Sequence, residues 1–222
     1  MSQYQTLMAR DGHTFRTYIA KPPGRARGGV VVVQEIFGLT AHIRNVADEY
    51  AQLGYLAVAP SLFDRVERSI VLGYSPPDVE LGLGYRKQIP SAKAVLDIAA
   101  AAAICAHVGR VAVVGFCWGG RLAWAAANTA PLGAAVCYYG GGILEELPAT
   151  PRCPTLLHFG QHDRSISVGD VERIRAAYPQ GHYYLYDAGH GFCNDDRPQN
   201  FDAAACALAR ERTVAFLAEH IG

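Results

Sequence analysis

The sequence predicts a single α/β domain over residues 1–222, with a mostly parallel central sheet, helices on both faces and an N-terminal antiparallel edge. Three observations support this fold class. Apolar β-branched runs alternate with helical patterns from Val30 to the end of the chain. The run Val30–Val33 has no polar alternation, as in a strand buried on both faces. The glycine-rich turn Gly115–Gly120 joins another such run to an Ala-rich segment, and repeated strand–helix units of this kind build a parallel sheet.

The composition favours a small-molecule partner. Half of the 222 residues are hydrophobic, enough for one sizeable core, and the 20 basic and 20 acidic residues cancel without long runs. We therefore expect no nucleic-acid partner and no membrane partner. The chain begins without a signal-peptide pattern and no apolar run approaches the length of a membrane span, so a cytoplasmic location is expected. Its six scattered cysteines are expected to be reduced, and the oligomeric state stays open.

The first elements are predicted to form a hairpin. Asp-Gly lies within Arg10–His13, between the extended segments 5–8 and 14–20. The later strands are predicted at 30–34, 55–59, 111–114, 134–139, 155–159 and 182–186. Helices are predicted after the caps Thr40 and Ser167, from Ser91 onward, over 121–128, and from about Phe201 to His220.

The stretch from Ser61 to Pro90 is the least regular part of the chain, with several prolines and glycines. A long irregular insertion in a compact domain is usually functional or mobile. Whether this one closes over a bound ligand is left open by the sequence.

Cys117 is the candidate nucleophile, because it stands at the sharp turn between a strand and a helix. Gly115 and Gly119, two residues before and two after it, let the strand and helix approach closely and push one reactive side chain outward. This spacing is typical of a nucleophile elbow, with Cys in the usual place of Ser. The alternative is a buried Cys in an ordinary glycine-rich turn.

The carboxyl ends of the predicted strands supply the remaining candidates: Glu35, Asp163 and His190. A thiol needs a base to become a thiolate, and the base needs an acceptor that fixes its tautomer. His190 and Asp163 could fill those roles, and the order nucleophile, acid, histidine is that of the α/β-hydrolase class. Each could instead be an ordinary turn residue.

The chain resembles the dienelactone hydrolases (carboxymethylenebutenolidase-like proteins) from about Gly28 onward. The resemblance rests on four motifs: Gln34–Gly38, Gly115–Gly120, Gly160–Asp163 and Gly189–Phe192. It implies an α/β-hydrolase fold, a Cys117–His190–Asp163 triad and a Glu35 that contacts the nucleophile and helps to control its ionisation. No metal and no organic cofactor is implied. The alternative for Glu35 is a charged residue that faces water.

The oxyanion hole is predicted to use the backbone N–H groups of Ile36 and Trp118, by their positions after the two strands. Further candidate substrate contacts are Phe37, Tyr85, Arg86 and Asn194. The resemblance implies two arginines that bind a substrate carboxylate, but their positions hold Asn194 and, if the reference tyrosine is Tyr85, Leu81. Arg86 or Arg65 could replace them, or both could be surface residues.

The nucleophile restricts the substrate. A thiolate leaves a tetrahedral intermediate far more readily than an ordinary alkoxide does. The intermediate formed from a simple alkyl ester should therefore revert to the ester, whereas the one formed from an enol lactone can go forward to the thioester. The leading hypothesis is therefore a hydrolase of activated lactones or esters such as a dienelactone, acting through a thioester. The alternatives are a broad esterase or thioesterase and a non-catalytic small-molecule-binding module.

Several other residues are weaker candidates. His158 and His162 have a zinc-like spacing but lie in a strand and a turn. Asp187, Asp195 and Asp196 compete with Asp163 but lie close to His190 in sequence. Cys193 is expected to be a packed thiol rather than a site residue.

Overall fold

A computed structural model describes residues 2–222 as one eight-stranded sheet with six α-helices around it. The strands are β1 (Ser2–Met8), β2 (Thr14–Ala20), β3 (Gly29–Val33), β4 (Leu56–Pro60), β5 (Val111–Phe116), β6 (Ala134–Tyr138), β7 (Thr155–Gly160) and β8 (His182–Tyr186). The helices are α1 (Ala41–Gln52), α2 (Pro76–Gln88), α3 (Ser91–Cys105), α4 (Trp118–Thr129), α5 (Val168–Ala177) and α6 (Ala203–Ile221).

The strand order is β1-β2-β4-β3-β5-β6-β7-β8. Strands β3 to β8 pair in parallel, whereas β2 is antiparallel to both β1 and β4. Every residue of β3, β4, β5, β6 and β7 is buried, which explains their continuous apolar character. The predicted α/β architecture and its antiparallel edge are confirmed.

The helices pack in groups on the sheet. α3 contacts α4, β3 and β4, while α1 is joined to α6 by the ion pair between Glu49 and Arg210. Two predicted caps are present: the Thr40 hydroxyl accepts from the Ile43 N–H, and Ser167 forms a capping box with Asp170. This arrangement leaves the carboxyl ends of the parallel strands to form the site.

The segment Ser91–Val108 corrects the expectation about apolar runs. It is long and apolar enough to cross a membrane by length and composition. In the structure α3, which begins this segment, lies against β3 and β4 and packs Ala94, Ile98 and Ala101 into the core. A core helix of a folded domain passes the same test of hydropathy.

The stretch from Ser61 to Pro90 is more regular than the sequence suggested. Pro76 begins α2 after a capping box in which the Ser75 hydroxyl accepts from the Asp78 N–H. Proline suits a first helical turn because its missing N–H has no intrahelical acceptor there. Gly82 allows α2 to pass the Ile36 carbonyl oxygen, which a Cβ would approach to 2.1 Å. The prolines and glycines that indicated a loop therefore begin a helix and allow a close contact.

The expectation of six reduced cysteines is wrong for two of them. Cys193 and Cys206 form a disulfide that ties the segment after His190 to the first turn of α6. Cys193 is thus a disulfide cysteine and not the packed free thiol that the sequence predicted. Cys105, Cys137 and Cys153 are free and buried, whereas free Cys117 is half-buried. Disulfides are more typical of oxidising compartments, so a cytoplasmic location stays a prediction.

Candidate active site

Cys117 occupies a strained turn between β5 and α4. Its φ of 55° and ψ of −116° are rare for a residue with a side chain. The bend is possible because a Cβ on Gly115 would meet the Gly119 carbonyl oxygen at 1.9 Å, and one on Gly119 would meet the Val33 carbonyl oxygen at 2.4 Å. Two glycines at these places let strand and helix touch, and Cys117 projects from the turn between them.

His190 and Asp163 are brought together from the ends of β8 and β7. His190 Nδ1 lies 2.6 Å from Asp163 Oδ2, and Asp163 Oδ1 accepts from the N–H groups of Ser165 and Ile166. Burial lowers the pKa of His190, but the interaction with Cys117 and the hydrogen bond to Asp163 outweigh it, so this pKa lies well above its usual value. An imidazole placed between a thiol and a carboxylate is suited to proton transfer.

Glu35 follows β3 and is buried, with 2 % of its surface exposed. Its Oε2 accepts from Asn194 Nδ2 at 2.5 Å. Asn194 is itself fully buried, and its Oδ1 accepts from the Asp196 N–H, which turns the amide donor toward Glu35. The Glu35 carboxylate is therefore hydrogen-bonded to a neutral amide and does not face solvent.

A cleft of about 570 Å³ opens over Cys117 and His190. Ile36, Phe37 and Trp118 also line it. Trp118 is the first residue of α4, and the first N–H groups of a helix have no intrahelical acceptor. Its backbone N–H is thus available to an oxygen, as an oxyanion hole requires.

The candidate substrate contacts separate into two groups. Phe37 and Arg86 line the cleft. Tyr85 does not: it packs against Phe63 and its hydroxyl donates to Glu67 Oε2 at 2.6 Å. Asn194 lies behind Glu35 instead of in the lining.

Arg65, the other proposed replacement arginine, does not line the cleft. Its Nε and Nη2 each donate to the buried Asp97 carboxylate at 2.7 Å, and Nη1 lies 3.1 Å from Asp11. Burial raises the pKa of Asp97 to about 6 despite this partner. Arg65 is therefore a structural ion-pair residue.

The competing residues have other partners. Both ring nitrogens of buried His158 are occupied, by Tyr186 and Thr213 hydroxyls, while exposed His162 pairs with Asp187. Asp195 and Asp196 both contact His42, through its ring and its backbone N–H. Asp163 is the acid that reaches His190 in residues 2–222.

Two neighbours of the site carried no sequence signal. Tyr139 has a positive φ of 36°, lies 5.2 Å from His190 between ring centroids and buries a hydroxyl without a hydrogen-bond partner. Burial, then the charges of Glu35 and Cys117, raise the pKa of that hydroxyl well above its usual value. Arg197 lines the cleft from the segment after His190. Their orientation depends on packing between distant segments.

Comparison with known proteins places this geometry in a family. Residues 15–221 match the model of the dienelactone hydrolase family. The chain is 31 % identical over 227 residues to carboxymethylenebutenolidase 1 of Cupriavidus pinatubonensis, covering 96 % of this chain and 94 % of that protein. It is likewise 31 % identical over 237 residues to the carboxymethylenebutenolidase of Pseudomonas putida, with the same coverage.

Solved structures agree. A crystal structure from Klebsiella pneumoniae, described as a candidate dienelactone hydrolase, superposes with a TM-score of 0.82 at 30 % identity, covering 98 % of this chain and 99 % of that one. A dienelactone hydrolase-like promiscuous phosphotriesterase from metagenomic libraries has a TM-score of 0.80 at 21 % identity, over 100 % and 99 % of the two chains, which shows the shared fold. The chain therefore belongs to the dienelactone hydrolase family of α/β-hydrolase enzymes.

Proposed function

We propose that this protein hydrolyses activated lactones or esters, such as a dienelactone, through a thioester formed on Cys117. The observation that carries the proposal is the 2.6 Å contact between His190 and Asp163 beside a cysteine that lines the same cleft. This arrangement supplies a nucleophile, a base and the acceptor that fixes the base's tautomer.

The first half-reaction forms the thioester. The Cys117 proton passes to Glu35 or His190, and the sulfur attacks the substrate's carbonyl carbon. The carbonyl oxygen takes the electron pair and accepts from the N–H groups of Ile36 and Trp118. The intermediate then breaks its bond to the enolate oxygen, which leaves and takes up a proton.

The second half-reaction uses water. His190 removes a proton from a water molecule that attacks the thioester carbonyl, and the carbon–sulfur bond breaks. The departing thiolate takes the proton held by His190, which restores the Cys117 thiol, and a carboxylic acid is released. One water is consumed, and the enol freed from a lactone becomes the ketone of a keto acid.

The decisive test compares a dienelactone with a p-nitrophenyl ester in the wild type, C117A and C153A. We expect lactone turnover in the wild type and in C153A, whose free cysteine lies outside the cleft. C117A should lose turnover. In the wild type, mass spectrometry under single-turnover conditions should find the acyl group on Cys117 alone. Lactone turnover that survives in C117A would contradict the mechanism.

The role of Glu35 has its own test. If its carboxylate takes the thiol proton, E35Q should slow thioester formation by about 10²-fold or more. The shape of the pH profile of that step should change as well. If Glu35 only supports the fold, the free energy of unfolding falls while the pH profile keeps its shape.

A broad-specificity esterase is the second candidate function. It is favoured by Leu81 and Asn194, which stand where the family resemblance leads us to expect substrate-binding arginines. Cys117-dependent turnover of the simple ester without the lactone would support it. Turnover of neither substrate would favour a small-molecule-binding role.

A further inference from the structure

The segment that follows His190 is a long loop with a covalent anchor. No helix or strand lies between β8 and α6 within the described residues 2–222. We call residues 193–202 of this segment the tethered loop. Cys193, at its start, is bridged to Cys206 in the first turn of α6, and the Cα atoms of the two cysteines are 4.8 Å apart. The disulfide therefore fixes the start of the tethered loop against α6.

The tethered loop also holds two groups of the candidate active site. The Asn194 side chain donates to Glu35 Oε2 at 2.5 Å, and the Asn200 side chain donates to the His190 carbonyl oxygen at 3.0 Å. Asn194 is the residue next to the first bridged cysteine, so the covalent anchor and the hydrogen bond to Glu35 are adjacent in the chain. Because the amide fixes one oxygen of Glu35, this carboxylate has a defined orientation.

The disulfide can be approached from the protein surface. Cys193 lines a narrow crevice of about 40 Å³ between α1 and α6, together with Glu49 and Arg210. The last two side chains form an ion pair and are 44 % and 45 % exposed, so the crevice reaches solvent. A small thiol can therefore reach Cys193, whereas the width of the crevice excludes a bulky one.

Cys206 is placed to leave as a thiolate. It lies in the first turn of α6, where the partial positive charge of a helix N-terminus stabilises an anion. A stabilised thiolate leaves more readily in thiol–disulfide exchange. In compartments that keep thiols reduced, the disulfides that do form are mostly catalytic or redox-sensing. Access at one sulfur and a good leaving group at the other together favour exchange at this pair.

We propose that Cys193 and Cys206 form a thiol–disulfide exchange site for small dithiols, and that reduction of this pair lowers the reactivity of Cys117. A thiolate of the dithiol attacks the Cys193 sulfur, the bond to Cys206 breaks, and the Cys206 thiolate takes up a proton. The second thiol of the reagent then attacks the reagent's own sulfur in the mixed disulfide and releases Cys193 as a thiol. Two electrons and two protons pass to the protein, and the dithiol becomes a disulfide.

Reduction acts on the active site through Asn194. Once the tethered loop is released from α6, the amide is no longer fixed against Glu35, and the carboxylate loses its defined orientation. This step rests on the proposed function, in which Glu35 or His190 takes the proton of Cys117. The oxidised protein is therefore the more active form.

The first measurement is a thiol count that needs no substrate. Wild-type protein purified without reductant is incubated with dithiothreitol under native conditions, desalted, unfolded and alkylated with iodoacetamide. Mass spectrometry should find four labels before the treatment and six after it, and peptide mapping should place the new labels on Cys193 and Cys206. Four labels after the treatment, or six before it, would overturn the exchange site.

The second measurement compares turnover by the oxidised and the reduced protein, with circular dichroism recorded on the same samples. Reduction should slow turnover of the dienelactone or the p-nitrophenyl ester, whichever the wild type accepts, by about ten- to hundredfold, the size of one lost hydrogen bond to a charged group. C153A keeps the pair and should respond as the wild type does. Equal turnover by the two forms, or a fall that follows a loss of the circular-dichroism signal, would overturn the coupling.

N194A separates a route through Glu35 from a general loosening of the fold. The oxidised variant keeps the disulfide but lacks the amide, so it should already be as slow as the reduced wild type, and reduction should change it little further. An equally large further loss would overturn the route through Asn194. C193A/C206A cannot form the bond, and it should match the reduced wild type and be insensitive to dithiothreitol.

Alkylation of the folded protein separates this proposal from the proposed reaction. The rate at which iodoacetamide labels Cys117, followed by peptide mapping, reports the thiolate of this residue without any substrate. Reduction should lower this rate in the wild type but not in N194A. A protein that hydrolyses neither substrate refutes the hydrolase function, yet the labelling rate still tests the coupling, and equal rates in the two forms of the wild type overturn it.

Discussion

Gly119 offers a sharp test of how the elbow is built. In G119A the new Cβ would lie 2.4 Å from the Val33 carbonyl oxygen, 2.6 Å from that of Gln34 and 2.8 Å from the Val33 carbonyl carbon. All three atoms are backbone, so no flexible side chain can move aside. Strand β3 and helix α4 would have to separate by about 1 Å to reach ordinary contact.

The magnitude follows from two opposing terms. Overpacking of this kind costs about 1–3 kcal/mol and occasionally more. Replacing a helical glycine by alanine returns roughly 0.5–1 kcal/mol. We therefore expect G119A to lower the free energy of unfolding by up to about 2.5 kcal/mol, or Tm by up to roughly 10 °C in a chain of this size.

G84A is the matched control, since Gly84 lies in α2 and a Cβ there meets nothing within 4 Å. It should raise the free energy of unfolding by roughly 0.5–1 kcal/mol. Urea unfolding followed by circular dichroism measures both variants. Activity should fall by about 10²-fold in G119A alone, because a displacement near 1 Å misplaces Cys117. If G119A is as stable as G84A, the close-contact argument is wrong.

Three further predictions concern the proposed triad and its surroundings. D163N should cut kcat by up to about 10⁴-fold. Because the pKa of His190 is raised in the folded protein, D163N should lower the free energy of unfolding most at about pH 6 and below, and less as pH rises through that pKa. Urea unfolding at several pH values measures this difference. N194D would put a second carboxylate about 2.5 Å from Glu35, so one of the two must hold a proton, and the variant should lose stability relative to the wild type as pH rises above about 4. C206A opens a disulfide that spans 13 residues and should cost about 3 kcal/mol; a reductant should lower the Tm of the wild type but not of this variant, and an unchanged wild type would contradict the bond.

The sequence predicted the sheet, the turn at Cys117 and the contact between His190 and Asp163 because all three depend on local patterns. Valine runs mark buried strands wherever they lie, and a glycine two residues either side of Cys117 marks the turn. Once the strands are parallel, residues that follow them share one edge, so His190 and Asp163 meet without further information.

The rest depends on which side chains turn toward one another across long separations. Glu35 and Asn194 are 159 residues apart, and nothing near either indicates the other. Arg197 faces the cleft because Phe37 and Tyr74, from two other segments, hold it there. The sequence did not indicate helix α2 because prolines and glycines are typical of a loop. In the structure they begin the helix and allow a close contact with another segment.

The distribution of free thiols has a practical consequence for anyone who prepares this enzyme. Burial raises the pKa of Cys105 to about 12 and that of Cys153 to about 11, and it raises the pKa of Cys137 further. At neutral pH these thiols are both protonated and shielded, whereas Cys117 opens on the cleft. One equivalent of an alkylating reagent should thus react with each folded molecule, at Cys117. A thiol titration then counts the molecules with an accessible Cys117. Any reagent consumed beyond one equivalent measures the fraction of unfolded chains.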